Sequence, residues 1–550
     1  MGRKRKNRGN FVDHQHHPIE DPLTIKSSWF GDEIKWVSRH HDDRNISSSS
    51  LQDFCSQFPN INGGNGDSIS STANDISKVP ATHKSLTAEL NQLKQQFMPI
   101  AQSCADAINN YNNSSTTANA KNKPKTATTP QYEFRQARSI CNPHERLGDI
   151  SIRPHRYSNS KRRRCNDSKS SSSSFQFVNR SAIKLANIDA LLGFALTRQP
   201  SSSCTKIIPT DTPLSTAKEG AYFAFVDLCG APGGFSEYIL YRHMHPLHRH
   251  NISELKSDNT DFHSRDGGGT HNNNSAIIPC YGFGMSLSGR NDEGKGVRWD
   301  LNHLKKHYHL QSNEDLSANK DSNATQSNKC NAKKQLLHYH VCRGVDGTGS
   351  IYNWDNVLEL QQQISMHLPR QNDIDTDNNR KSELTQQHRQ VHLVVADGGF
   401  DAQRDSDNQE VMAHHIVVSQ TAAALTLLRK GGSFVVKMFG FHEESTKQML
   451  RHLYGCFDRM AFVKPTSSRP ASAERYLVCC GYTGVGSGWD GLAWKQLQMG
   501  VTSTILPNEV YDCTTLDDLA NEFDLDMLKL NVESCRSIVE YLTKKRDAVG

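Results

Sequence analysis

No run of about 18 consecutive apolar residues occurs in this 550-residue chain, so no segment has the length and character of a membrane-spanning helix. The start also lacks the charged-then-apolar pattern of a secretory signal. The expectation is a soluble, non-secreted protein. Cys-x-x-Cys pairs are missing too: the 14 cysteines are scattered through apolar runs and polar stretches, and in a non-secreted chain they read as reduced thiols. Apolar residues are scarce, at 35% of the chain, so a sizeable part is expected to stay outside any packed core. The net charge of +6 is mild, but basic residues cluster at Arg3-Lys4-Arg5-Lys6 with Arg8 and at Lys161-Arg162-Arg163-Arg164. Such runs serve nuclear import or nucleic-acid contact, or are plain solvated tails.

What the chain does have is organised around one stretch. Ala221 to Leu228 is an apolar run that reads as a buried strand, and Phe235 to Arg242 carries helical spacing. Between them, Cys229-Gly230-Ala231-Pro232-Gly233-Gly234 is built almost wholly of small residues. Gly230, Gly233 and Gly234 can take positive φ and admit a ligand close to the backbone, and Pro232 stiffens the bend. The free N–H groups at the helix start would face that ligand. The spacing is neither the dinucleotide Gly-x-Gly-x-x-Gly pattern nor a P-loop. A bare tight turn is the bland alternative.

Around this turn, strands and helices alternate. Strand candidates are 221–228, 278–285, 335–342, 391–396, 432–437, 458–463 and 474–480; helix candidates include 234–243, 355–367, 409–430 and 443–456, with Gly431-Gly432 closing the helix from 409. This implies a doubly wound, mainly parallel α/β sheet with ligands at the strand carboxyl ends. Three insertions rich in Asn, Asp, Ser, Lys and His (246–276, 311–333 and 370–388) are too polar to pack and read as surface loops. The polar stretch 1–85 reads as largely disordered, with a short ordered piece near Trp29 to Trp36. Residues 86–174 form a helical extension: Leu86, Leu90, Leu93, Phe97 and Ile100 recur at helical spacing after a Ser85 cap, and a second helix from Phe134 stops at Asn142-Pro143. The segment 175–189 reads as a helix packed on its Ile183, Leu185 and Ile188 side. Residues 175–485 hold the sheet, and 486–550 read as a small helical extension.

Three charged residues stand where such a sheet carries its chemistry. Asp397 follows the strand His392 to Ala396, Lys437 ends Ser433 to Val436, and Glu474 opens a strand, Glu474 to Cys479, that can run antiparallel at the edge. Lys184 is a charge among the apolar positions Ile183, Leu185 and Ile188. Each taken singly reads as a solvated strand end or a snorkelling lysine. His243, His245, His248 and His250 have no Cys or carboxylate at ligand spacing, so no metal site is expected.

The set Lys184, Asp397, Lys437 and Glu474, with the turn Asp227-Leu228-Cys229-Gly230-Ala231-Pro232-Gly233-Gly234-Phe235, resembles the FtsJ-like (RrmJ-type) ribose 2′-O-methyltransferases and their Lys-Asp-Lys-Glu tetrad. More narrowly it is similar to the eukaryotic enzymes that build cap 1 on mRNA. The phrases that carry this are Asn179-Arg180-Ser181-Ala182-Ile183-Lys184, Gly282-Phe283-Gly284-Met285, Ala396-Asp397-Gly398-Gly399-Phe400, Lys464-Pro465-Thr466-Ser467-Ser468-Arg469-Pro470 and Glu474-Arg475-Tyr476. The resemblance implies a Rossmann-like fold and S-adenosylmethionine as cofactor, held by Asn179, by Cys229, Gly230, Ala231, Pro232, Gly233, Gly234 and Phe235, and by Ser350 and Ile351. The family usually has an aspartate where Ser350 stands; either Ser350 makes that adenine contact or Asp346 shifts in to replace it. Lys437 would be the general base, its pKa lowered by Lys184, by the sulfonium and by burial. Asp397 would orient Lys437 and help hold the methyl donor, Lys184 would steer the ribose hydroxyl, and Glu474 would orient Lys184 or the ribose. Cap contacts fall on Arg138, Lys94, Asp407, Asn408, Gln409 and Ser472. The implied partners are capped mRNA and RNA polymerase II, in the nucleus. The competing readings are the cap 2 nucleotide, rRNA or tRNA as substrate, and an RNA-binding scaffold without catalysis.

Overall fold

The computed structural model describes residues 23, 25–38, 81–114, 127–145, 147, 176–198, 222–245, 278–287, 298–308, 310, 336–369, 390–399, 408–484 and 513–549. Most of 1–85, both basic runs and all three polar insertions lie outside these residues.

In chain order the elements are β1 (Trp36–Ser38), α1 (Ala81–Ser114), α2 (Pro130–Cys141), α3 (Ser181–Leu191), β2 (Phe223–Leu228), α4 (Gly234–Met244), β3 (Cys280–Met285), α5 (Leu301–Tyr308), β4 (Leu337–Cys342), α6 (Trp354–His367), β5 (Val391–Ala396), α7 (Gln409–Leu427), β6 (Leu428–Met438), α8 (Glu444–Cys456), β7 (Phe457–Val463), β8 (Arg475–Tyr482) and α9 (Thr514–Asp547). The strands form one sheet in the order β1-β7-β8-β6-β5-β2-β3-β4. Strands β4, β3, β2, β5 and β6 run parallel, while β8 is antiparallel to both β6 and β7. The chain steps from β2 outward to β4 and then returns to β5 on the other side of β2. That reversal opens a crevice at the carboxyl ends of β2 and β5.

Side chains alternate across the sheet because a strand repeats every two residues. Ala224, Val226 and Leu228 of β2 face a core shared with α6, α7 and α8, whereas Phe223 and Phe225 face one shared with α3, α4 and α5. This two-sided burial explains why the strands read as continuous apolar runs. A third packing unit joins the two ends of the chain. Leu90 and Leu93 of α1 meet Leu528, Val532 and Cys535 of α9, and Ala101, Cys104 and Ala137 meet Ile538 and Leu542.

Four expectations need correction. α7 ends at Leu427, not at the glycine pair, because Leu427 and Leu428 are drawn into the core. Gly431, at φ 77°, instead sits in a bulge where the β5–β6 register jumps from Val391–Leu428 to Leu393–Ser433. α1 begins at Ala81, so Ser85 lies inside it and caps nothing. α3 is buried nearly all round, and the side chains left more open include Ser181 and Lys184, three residues apart on one face. The strand after Glu474 is antiparallel but interior, between β6 and β7.

Candidate active site

Strand parity decides which side chains meet. Leu393 and Val395 of β5, Val435 of β6, and Tyr476 and Val478 of β8 all face α3 and α4. Two-residue repetition carries Asp397, Lys437 and Glu474 to that same face, where α3 presents Lys184. Lys437 stands opposite Tyr476 in the β6–β8 ladder.

The four charges form two linked pairs. Lys437 Nζ donates to the Asp397 backbone oxygen at 2.7 Å and lies 3.2 Å from its Oδ1. Lys184 Nζ donates to Glu474 Oε2 at 2.8 Å. Asp397 is held further by Ser181 Oγ, which donates to Oδ2 at 2.6 Å, and by the Tyr476 hydroxyl, which donates to Oδ1 at 3.1 Å. Ser468 Oγ donates to Glu474 Oε1 at 2.7 Å. The structure thus brings all four tetrad residues together. It also adds Ser181, Ser468 and Tyr476, whose only signal in the sequence was a place inside the quoted phrases.

The ionisation of Lys437 departs from expectation. Burial works to lower its pKa, but the carboxylates of Asp397 and Glu474 outweigh burial and hold it above its ordinary value. Glu474 shows the reciprocal balance. Burial would raise it, yet the ammoniums of Lys184, Lys437 and Lys464 hold its carboxyl well below the usual range. The resting site therefore favours Lys437 as an ammonium and Glu474 as a carboxylate.

The glycine-rich turn works by space more than by dihedral freedom. Gly233 does adopt the left-handed region, at φ 115°. Gly230 and Gly234 are small for another reason: a Cβ on Gly230 would enter the Asp227 carboxylate, and one on Gly234 would strike Asn179 Oδ1. Cys229 takes φ 58°, and burial pushes its thiol up to about 11, so it is no thiolate at neutral pH. Asp227 is fully buried, accepts from Ser236 N and Oγ, and keeps Oδ1 without a partner. Burial lifts its pKa to about 7. Sequence reasoning passed over Asp227 because it lies within an apolar strand.

Ser350 and Ile351 lie between β4 and α6, with Ile351 buried against the core. Asp346 has not shifted in. Its carboxylate accepts from Thr348 N and Oγ1, Asn353 Nδ2 and Asn356 Nδ2, and these bonds hold it well below the usual range. It is engaged within its own turn, and Ser350 Oγ likewise accepts from Tyr352 N at 3.3 Å.

Of the residues expected to hold a capped RNA, Arg138 lies in a basic cluster beside the tetrad. Arg138, Arg180 and Arg469 all approach one carboxylate, Glu145, at 3.0–3.2 Å. Arg469 follows Ser468, and Arg180 precedes Ser181, so this excess of positive charge borders both ion pairs. Ser472 Oγ accepts from Glu474 N at 3.2 Å. Asn408 and Gln409 open α7. Lys94 is on α1, near Cys535 of α9. Asp407 lies outside the described residues.

With this geometry in place, comparison with known proteins identifies the sheet. Residues 334–482 match the model of the FtsJ-like methyltransferase family. That segment, from just before β4 to the end of β8, is similar to FtsJ-like methyltransferases. Curated relatives are named cap-specific mRNA (nucleoside-2′-O-)-methyltransferase 1. The Drosophila melanogaster protein is 29% identical over 58% of this chain and 29% of its own length, the Homo sapiens protein 28% over 64% and 28%, and the Xenopus laevis protein 27% over 67% and 33%. The chain thus spans about a third or less of the length of these relatives. Among solved structures, a chain described as a ribosomal RNA methyltransferase of Plasmodium falciparum is similar at 13% identity, with a TM-score of 0.26 over 56% of this chain and 98% of that one, a superposition too loose to argue from. The FtsJ-like domain match ends at Tyr482, the last residue of β8, and so takes in Asp397, Lys437 and Glu474 but not Lys184.

Proposed function

We propose that this FtsJ-like domain transfers a methyl group from S-adenosylmethionine to the ribose 2′-O of the first transcribed nucleotide of m7G-capped mRNA. The observation that carries this reading is the convergence of Lys184, Asp397, Lys437 and Glu474 beside the glycine-rich turn. The shared name of the relatives and the Arg138–Arg180–Arg469 cluster, suited to a polyphosphate, favour a capped substrate.

The residues around the crevice suit the cofactor. The glycines of Cys229 to Phe235 admit no Cβ, the first turn of α4 follows directly, and Asp227 Oδ1 is a buried oxygen without a partner. Asn179, the turn residues, Ser350 and Ile351 would hold it. S-adenosylmethionine, when bound, supplies an electrophilic methyl group.

The chain's own task is then to position a poor nucleophile and remove its proton. Lys437 Nζ takes the proton of the 2′-hydroxyl. Because Asp397 and Glu474 favour its ammonium form, Lys437 must first shed its own proton, so the rate should climb as pH rises above neutrality. Asp397 fixes Nζ through its backbone oxygen and its carboxylate. Lys184, aimed by Glu474, steers the hydroxyl. Nuclear location, supported by the two basic runs, and an encounter with RNA polymerase II belong to the same proposal.

The deciding experiment offers the purified protein labelled S-adenosylmethionine with m7G-capped RNA, uncapped triphosphate RNA, and rRNA or tRNA. Label on the 2′-O of the first nucleotide of capped RNA alone is the expected result. Label on the second nucleotide or on structured uncapped RNA keeps the chemistry and replaces the substrate. Cofactor binding with no label on any RNA leaves a scaffold.

A further inference from the structure

Lys464 is the most deeply buried lysine near the tetrad, with no exposed surface. An ammonium removed from water normally meets a carboxylate. This one instead meets three neutral oxygens of its own loop: Ser468 Oγ at 3.1 Å, the Ser472 carbonyl at 2.9 Å and the Glu474 carbonyl at 2.5 Å. All three of its donors are spent on residues 464–474, the loop that delivers Glu474. Burial accordingly pushes its pKa well below the ordinary value, so what it brings to the loop is a set of hydrogen bonds.

The direction of the bonds shows what the lysine does. Lys464 donates to Ser468 Oγ, and that hydroxyl donates onward to Glu474 Oε1 at 2.7 Å. Because Nζ donates to it, the Ser468 hydroxyl turns its own proton toward the carboxylate. Oε1 is thereby occupied, and Oε2 is left to take Lys184 at 2.8 Å. The loop is fixed from outside as well: Trp29 N donates to the Lys464 carbonyl, Trp29 Nε1 donates to the Ser468 carbonyl, and Asn187 Oδ1 accepts from Thr466 and Ser467. This outer fastening needs no charge on Lys464.

We propose that Lys464, acting through Ser468, is a positioning residue that orients and ionises Glu474, and through it aims Lys184 at the reacting ribose hydroxyl. The inference rests on the tetrad chemistry proposed above, but not on which RNA is the substrate. The hydrogen bond from Ser468 favours the carboxylate form of Glu474. Removing it should therefore move the titration of Glu474 upward.

The test uses the full chain and the variants Lys464→Met, which keeps length without charge, and Ser468→Ala, which keeps the other two bonds of Lys464. Turnover on the RNA that the wild type methylates should fall roughly 10- to 100-fold in each. The dissociation constant for S-adenosylmethionine and the KM for RNA should stay within about twofold, the range expected when only the chemical step is touched. The double variant should be no slower than Lys464→Met, because the two residues act in series. A loop staple alone would lower the melting temperature and leave turnover and the Glu474 titration unmoved; that result overturns the proposal. Should Lys464→Met not fold, Ser468→Ala carries the test. A ¹³C titration of the Glu474 carboxyl, assigned with Glu474→Gln, reads the same effect without catalysis. An unchanged Glu474 titration in Ser468→Ala overturns the proposal even if no RNA is methylated, whereas a raised titration with methylation of an uncapped RNA overturns only the substrate.

Discussion

At the scale of single residues, composition and spacing found the charges but not their state. Lys437 was expected to be a depressed lysine; the folded site makes it a stabilised ammonium, since Asp397 comes within 3.2 Å and Glu474 arrives from a strand that sequence placed at the edge. A pKa depends on counter-charges brought by other elements, which linear spacing does not report. Lys437→Ala should lower turnover by about 10²- to 10⁴-fold, the usual contribution of a positioned base, with cofactor binding retained. Calorimetric titration with S-adenosylmethionine alongside single-turnover methylation checks this; near-normal turnover would remove Lys437 from the mechanism.

At the scale of elements, the active strand is braced from the far end of the chain. Arg475, the neighbour of Glu474, pairs with Asp524 of α9, and both side chains are under a tenth exposed. Asp524 also accepts from Phe441 N at 2.7 Å, tying α9 to the loop after β6. The sequence showed that 486–550 contained helical spacing, but its packing on α1 and α2 joins segments more than 400 residues apart and left no local trace. Asp524→Asn strands the Arg475 guanidinium in a buried site, and breaking such a pair costs about 3–5 kcal/mol. Urea unfolding should show that loss at unchanged m-value; a change below about 1 kcal/mol, the range of exposed pairs, would mean that the bridge is not a brace.

For the whole molecule, the buried histidines set the response to acid. Burial drives His243, His392 and His452 down to about 3 and His340 to about 4, from an ordinary value of 6.5. A histidine depressed in the fold binds fewer protons there than in the unfolded chain. Its stabilisation is complete above 6.5 and is lost as pH falls toward the folded value. His442 runs the other way. Burial opposes its charge, but Glu410 outweighs burial and raises it, so its contribution is complete below 6.5 and fades as pH rises through its folded value. His442 and the Asp227 carboxyl, the latter raised to about 7 and so stabilising as pH falls, oppose these four, and the melting temperature should fall from about pH 6.5 to about pH 4. His243→Phe, which keeps a ring against Phe223 at 4.4 Å, should flatten that fall; an identical slope would remove His243 from the account.

Local pattern was sufficient for the parallel strands, because two-sided burial demands continuous apolar runs, and for the turn after β2, because only small residues fit against Asp227 and Asn179. It was sufficient for the identity of the tetrad through the phrases that surround it. Tertiary structure alone decided that α7 stops four residues before the glycine pair, that β8 runs inside the sheet, and that Asp346 serves its own turn. It alone assembled the Lys464–Ser468–Glu474 relay and the charge state of Lys437. The physical reason is common to all of these: periodicity reports which face of an element is buried, whereas hydrogen-bond direction and ionisation depend on what the fold brings to that face from elsewhere.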